Sequence, residues 1–247
     1  MLKNKNIIVT GSNRGIGEAI VKVLAQNRAN IFACARKKDE NFEEKLKKLS
    51  TQYNVNIYPI YFDLLNKEEM KEAIKTIRSY KISIDGLVNN AGAIFTSIFT
   101  MTPIDKFREM FEINYFSQVE FTQYIVKLMM RQKSGSIVNI SSSAAIFANE
   151  ARSAYAGAKS ALITTSKVLA KEVGSYGIRV NVIAPGLTQT KMMIDSTPQD
   201  ALKETIDNSC LKRVANPQEI ANVVLFLLSD MSSYITDQVI RVDGGLR

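Results

Sequence analysis

Seven short apolar runs recur along this chain, separated by stretches with helical periodicity. The runs are Ile7-Ile8-Val9, Ile31 to Cys34, Ile57 to Phe62, Ile84 to Val88, Ser136 to Ile140, Ile178 to Ala184 and Val239-Ile240. Between them apolar residues fall at helical intervals, as in Ile16, Ala19, Ile20, Val23 and Leu24, and again in Ile220, Val223, Val224, Leu227 and Leu228. Strand, helix and strand in succession close a right-handed crossover, and parallel strands need both sheet faces covered. The pattern therefore predicts one α/β domain over residues 1–247, a doubly wound seven-stranded parallel sheet with helices on both faces. A chain of 247 residues is long enough for the core this requires. The stretch at about 187–216 holds Met192, Met193 and Pro198 and breaks the rhythm. It is expected to be a mobile segment covering a substrate.

The chain has no histidine. That excludes Ser-His-Asp and Cys-His triads, a histidine general base and histidine-ligated zinc, so no metal site is expected. Proton transfer must run on Tyr, Lys, Asp, Glu, Ser or Cys. Cys34 and Cys210 are too few for a disulfide framework and are expected to be buried thiols of a cytoplasmic protein. No apolar run reaches membrane-spanning length, and the first residues lead into a strand, so no membrane partner is expected. The net charge is +8, from 32 Lys and Arg against 24 Asp and Glu. Such a balance favours acidic partners or phosphorylated cofactors. The run Lys45 to Lys48 is mixed with Glu43 and Glu44 and reads as a solvated helix face. No helix-turn-helix, zinc finger or aromatic RNA-binding sheet is present, so no nucleic acid partner is expected.

The first strand runs into Thr10-Gly11-Ser12-Asn13-Arg14-Gly15-Ile16-Gly17, and a helix pattern follows at once. Glycines permit a tight turn and close backbone approach, and a helix N-terminus offers free N–H groups to a pyrophosphate. The second strand ends in Cys34-Ala35-Arg36-Lys37-Lys38, where a fold preferring NAD would place a carboxylate for the ribose. Arg36, with Arg14 from the glycine turn, instead suits a 2′-phosphate, so the expected cofactor is NADP(H). A second cluster lies further on. The strand from Ser136 ends in Ser141-Ser142-Ser143, and ligands of open α/β sheets bind at such carboxyl ends. The following helix pattern carries Tyr155 and Lys159 on one face. A nearby ammonium favours a phenolate, which would make Tyr155 a general acid–base near neutral pH.

These residues, together with Asp63, Asn89-Asn90-Ala91-Gly92, Asn114 and Pro185-Gly186, make the chain resemble the short-chain dehydrogenase/reductase family over nearly its whole length. The resemblance implies a Rossmann-type fold and a role for each position. Tyr155 would protonate the substrate carbonyl oxygen, and Ser142 would hold that oxygen. Lys159 would bind the nicotinamide ribose and tune Tyr155, and Asn114 would hold a water in a proton relay. Asp63 and Leu64 would meet the adenine. Asn90, Ala91 and Gly92 would line the adenosine ribose. Pro185, Gly186 and Thr188 would contact the carboxamide, with Thr190 toward the pyrophosphate. The glycine turn from Gly11 through Ser12, Asn13, Arg14, Gly15 and Ile16 to Gly17 would hold the phosphates.

Within the family, Leu211 to Val214, Pro217 to Ala221, Phe226 to Asp230, Tyr234 to Thr236 and Val242 to Gly245 are most similar to bacterial 3-oxoacyl-(acyl-carrier-protein) reductases. That implies an acyl substrate of fatty acid synthesis on an acidic carrier, and a homotetramer. Three departures keep other readings open. The loop after Gly92 reads Ala93-Ile94-Phe95-Thr96-Ser97, a carrier-docking arginine position falls at Tyr176 beside a matched Lys133, and Asp237 replaces a glycine. The alternatives are a relative acting on a sugar or another small ketone or alcohol, and a non-catalytic NADP-binding regulator. Apolar excess over Pro103 to Arg131 and Arg152 to Ser175, with Met129, Met130, Leu162, Ile163 and Leu169, suits either a face against a neighbouring subunit or ordinary core packing.

Overall fold

All seven apolar runs form strands in the computed structural model, which describes residues 1–247. In chain order the elements are β1 (Asn6–Thr10), α1 (Gly15–Gln26), β2 (Asn30–Ala35), α2 (Glu40–Tyr53), β3 (Ile57–Tyr61), α3 (Lys67–Ser79) and β4 (Gly86–Asn89). Then come α4 (Ile104–Phe111), α5 (Ser117–Gln132), β5 (Gly135–Ile140), α6 (Ala144–Phe147), α7 (Ser153–Val173) and β6 (Ile178–Pro185). The chain ends with α8 (Lys191–Ser196), α9 (Gln199–Asp207), α10 (Pro217–Leu228) and β7 (Val239–Val242). The strands lie in the order β3-β2-β1-β4-β5-β6-β7, all parallel. The expected doubly wound sheet is thus present.

Alternation along the strands builds two cores. Ile7 and Val9 of β1, with Ile31 and Ala33 of β2, face α1, α2 and α10. Ile8, Phe32 and Cys34 face the opposite layer, with Phe121 and Ile125 of α5 and Ala170 of α7. Helix starts are set by short polar side chains that satisfy free N–H groups. Asp39 accepts from Phe42 N at 3.0 Å to open α2, and Asn216 with Glu219 forms a capping box for α10. The mixed-sign face behaves as expected: Lys45 pairs with Glu18 and Lys48 with Glu44, all solvent-exposed. No helix is long and apolar enough to cross a membrane.

Two expectations need correction. Cys34 is buried, but Cys210 is exposed, because it lies in a turn after α9 outside both cores. The pattern from Pro103 to Arg131 is interrupted by a π-helical turn at Glu112–Phe116. Its Met129, like Leu162 of α7, is buried in the chain's own interior, so these residues face no neighbour. Exposed apolar side chains in and beside these segments include Phe99, Met101, Ile104, Phe116 and Val168. The 187–216 segment forms α8 and α9, neither of which has a buried residue. It is held by a bridge between Thr188 and Ala215 and by backbone bonds from Cys210 and Leu211 to Gly245 and Gly244.

Candidate active site

The strand order reverses direction between β1 and β4, and the carboxyl ends of these strands part there. Thr10 ties the two ends together. Its hydroxyl donates to Val88 O at 3.3 Å and accepts from Asn90 N and Ala91 N at 3.0 and 3.1 Å. Asn90 returns its side-chain amide to Thr10 O and Gly11 O. Gly11 and Gly15 have φ of +66° and +57°, a region that favours glycine. A Cβ on Gly17 would lie 2.0 Å from Gly11 O, so close packing of α1 under the turn requires glycine there as well.

A cleft of about 1130 Å³ runs along these strand ends. Nearly every residue expected at a cofactor or catalytic position lines it, from Gly11, Asn13, Arg14, Gly15, Ile16 and Arg36 at one end to Ser142, Tyr155 and Lys159 at the other. Asp63, Leu64, Asn90, Ala91, Gly92, Asn114, Pro185, Gly186, Thr188 and Thr190 line it too. Ser12 and Gly17 do not. Ser12 turns inward, donating from Oγ to Val9 O at 2.7 Å, and Gly17 is covered by the turn itself.

The chemistry-bearing end is built from three elements. β5 delivers Ser142 at its carboxyl end, while Ser141 is structural, bonding Lys159 O at 3.0 Å. α7 presents Tyr155 and Lys159 one turn apart, both buried, and Lys159 Nζ donates to Ile140 O at 2.8 Å. The π-helical turn brings in Asn114, whose amide donates to Ala93 O and Met110 O, both at 3.0 Å. Gly92 keeps the space between these groups open, since a Cβ there would lie 2.7 Å from Asn114 Oδ1 and 3.5 Å from Lys159 Nζ. Beneath, Asn89 bonds Asn139 and Thr122, and Asn139 bonds Ser166, a buried ladder that locks β4, β5, α5 and α7 in register.

A family model described as Enoyl-(Acyl carrier protein) reductase matches residues 11–247. The chain is 34% identical to a 3-oxoacyl-[acyl-carrier-protein] reductase of Thermotoga maritima, over 99% of this chain and 98% of that protein. It is 35% identical to a 3alpha-hydroxysteroid dehydrogenase of Mediterraneibacter gnavus, over 100% and 98%. A solved short-chain type dehydrogenase/reductase from Mycobacterium ulcerans superposes with a TM-score of 0.92 at 27% identity, over 99% of this chain and 90% of that one. The chain belongs to the short-chain dehydrogenase/reductase family.

As a member of that family it is an oxidoreductase that works with a nicotinamide cofactor, and the cleft suits one. The Lys159 ammonium is buried with only Ile140 O as acceptor, leaving N–H donors free for ribose hydroxyls. Burial pushes the Lys159 pKa down to about 8. Burial also raises the Tyr155 phenol above its ordinary value, opposed by a hydrogen bond from Ser142 and the charge of Arg152. Arg152, one turn before Tyr155, is thus a second cation beside the phenol, in addition to Lys159 one turn after it. The Lys159 ammonium is directed at Ile140 O. Sequence reasoning missed Arg152 as a site residue. Its position one helical turn before Tyr155 was the available signal.

Proposed function

We propose that this oxidoreductase uses NADPH to reduce the ketone of a 3-oxoacyl thioester held on acyl carrier protein, a cytoplasmic reaction of fatty acid synthesis. The observation that carries the reading is the convergence of Asn114, Ser142, Tyr155 and Lys159 in one cleft whose far end holds Arg14 and Arg36. A bound nicotinamide supplies the hydride. Tyr155 gives its proton to the carbonyl oxygen while Ser142 donates a hydrogen bond to the same oxygen as negative charge develops. Lys159 holds the ribose, and Asn114 holds the water that returns a proton to Tyr155.

The preference for NADPH is supported at the end of β2. Arg36 has no carboxylate beside it, and the first acid of the connection, Asp39, is engaged as the cap of α2. Arg14 lines the same end of the cleft. The acyl substrate is supported by the family model and the Thermotoga relative. A second reading, a ketone or alcohol of another class such as a steroid, is supported by the Mediterraneibacter relative at almost the same identity. The exposed Phe99, Met101, Ile104, Phe116 and Val168 support a homotetramer, since exposed apolar side chains of this size are often covered by a partner.

The test is cofactor consumption with NADPH and NADH on acetoacetyl-carrier protein, a 3-oxosteroid and a keto-sugar. Fastest turnover is expected with NADPH and the carrier substrate. Turnover of the steroid or sugar without the carrier substrate would replace the leading reading, and a preference for NADH would overturn the cofactor assignment. Elution as a monomer in gel filtration would remove the tetramer.

A further inference from the structure

Arg152 stands at the start of α7, one helical turn before Tyr155, and lines the cleft. Its guanidinium donates to Ser196 O at 2.7 Å and to Thr96 Oγ1. It thereby spans the cleft mouth between the loop after β4 and the end of α8. These two bonds leave N–H donors free on the guanidinium. No carboxylate reaches it. Glu150 and Glu204 line the same cleft, yet neither pairs with it. Arg152 is half-buried here, so its charge is only partly solvated and gains from an acceptor in the cleft. Desolvation pulls the guanidinium pKa below its ordinary value, opposed by the Tyr155 side chain. Ile94, Phe147, Met192 and Met193 supply apolar lining to the same cleft. An apolar body that also carries an oxygen acceptor close to the reacting carbonyl would complete this site.

We propose that Arg152 is a specificity-determining residue that binds the C1 oxygen of a 3-oxoacyl substrate, while Tyr155 and Ser142 engage the C3 oxygen. The acceptor is the carbonyl of a thioester or the carboxylate of a free 3-oxo acid. This rests on the reading of Tyr155 and Ser142 as the reducing pair. It adds a selection rule to that reading: a ketone without an oxygen at C1 leaves Arg152 without an acceptor and reacts poorly.

The test compares three matched compounds on the wild type, Arg152→Met and Arg152→Lys. These are an N-acetylcysteamine thioester of 3-oxooctanoate, 3-oxooctanoate itself, and heptan-2-one, which is the same chain without C1. For Arg152→Met, kcat/KM on at least one C1-bearing compound is expected to fall roughly 10- to 100-fold, the range for a hydrogen bond to a charged group. The value on heptan-2-one is expected to move less than about 3-fold. Arg152→Lys is expected to restore part of the loss. A loss confined to the thioester identifies a carbonyl acceptor, and one confined to the acid a carboxylate. An equal loss on all three compounds, as a purely structural or Tyr155-tuning role would produce, overturns the proposal, and so does no loss.

If no compound is reduced by wild type, the reductase reading fails and Arg152 is judged by binding. Titration calorimetry of 3-oxooctanoate into NADP-saturated wild type and Arg152→Met is expected to show weaker binding to the variant. Equal binding, or none to wild type, overturns the proposal.

Discussion

The two ends of the cleft are built differently. At the cofactor end, Thr10, Gly11, Asn90 and Gly17 are fitted so closely that a single added Cβ would collide with backbone. The glycine turn sits on strands whose side chains are all buried. At the substrate end, α8 and α9 bury no residue, and Arg152 is among the few ties between them and the rest of the site. Backbone–backbone packing of the first kind tolerates one solution, whereas a cover held by a few side chains can change its lining without disturbing the sheet. The difference explains how relatives of nearly equal identity can carry names that imply an acyl thioester and a steroid. On the proposed function, the closely fitted end holds the dinucleotide and the loosely covered end selects the carbonyl.

The largest expected effect lies where the two ends meet. Tyr155→Phe removes the proton donor and should lower kcat by roughly 10³-fold while NADPH affinity, read by fluorescence titration, stays within about 2-fold. A large loss of affinity would mean that Tyr155 belongs to the cofactor end. Next, Gly17→Ala should destabilise the protein by on the order of 3 kcal/mol in urea unfolding, because the turn must shift to accept the new atom. A neutral result would show that the glycine turn is as adaptable as the cover.

Lys159 offers a test by pH. Its pKa is depressed to about 8 from an ordinary 10.5, so between these values the unfolded chain holds the proton and the folded chain does not. Stability of the cofactor-free protein should therefore rise with pH across that window, by up to about 3 kcal/mol from this group. The gain should vanish in Lys159→Met, and an unchanged pH profile of melting in that variant would assign the stability change elsewhere. At the adenosine end, Arg36→Asp should cut the kcat/KM preference for NADPH over NADH by roughly 10- to 100-fold. An unaltered preference would transfer the discrimination to Arg14.

The smallest effect is expected in the cover. Thr190 caps α8 by accepting from Met193 N at 3.2 Å. Thr190→Ala should cost about 1 kcal/mol locally, seen as faster amide exchange in α8 with little change in global melting. A drop in global melting as large as that from Gly17→Ala would erase the contrast between the two ends.

Much of this was legible before any coordinates. Strand positions followed from apolar runs, because parallel strands are buried on both faces and need continuous apolar sequence. The glycine turn, Ser142, Tyr155 and Lys159 were legible because each sits at a fixed offset from a strand end. What was not legible depended on long-range approach. The inward turn of Ser12 is set by Val9 O and the path of the turn. The π-helical turn at Asn114 has no apolar period to announce it, since adding one residue to a helical turn leaves the flanking pattern helical. The burial of Met129 and Leu162 could not be told from an interface by periodicity, which shows that a face is apolar and not what covers it.

The amino-acid sequence by itself determined the doubly wound sheet, the glycine turn at its switch point and, with no histidine present, the candidate groups Ser142, Tyr155 and Lys159. These are properties of local spacing and of residue chemistry. Only the tertiary structure decided where the two cations beside Tyr155 are held. Lys159 and Arg152 both lie about one helical turn from it, but Lys159 is drawn to the carbonyl of Ile140, while Arg152 is held at the cleft mouth by Thr96 and Ser196. Electrostatic influence depends on distance and on burial, and both are set by segments remote in the chain that fold over the same site.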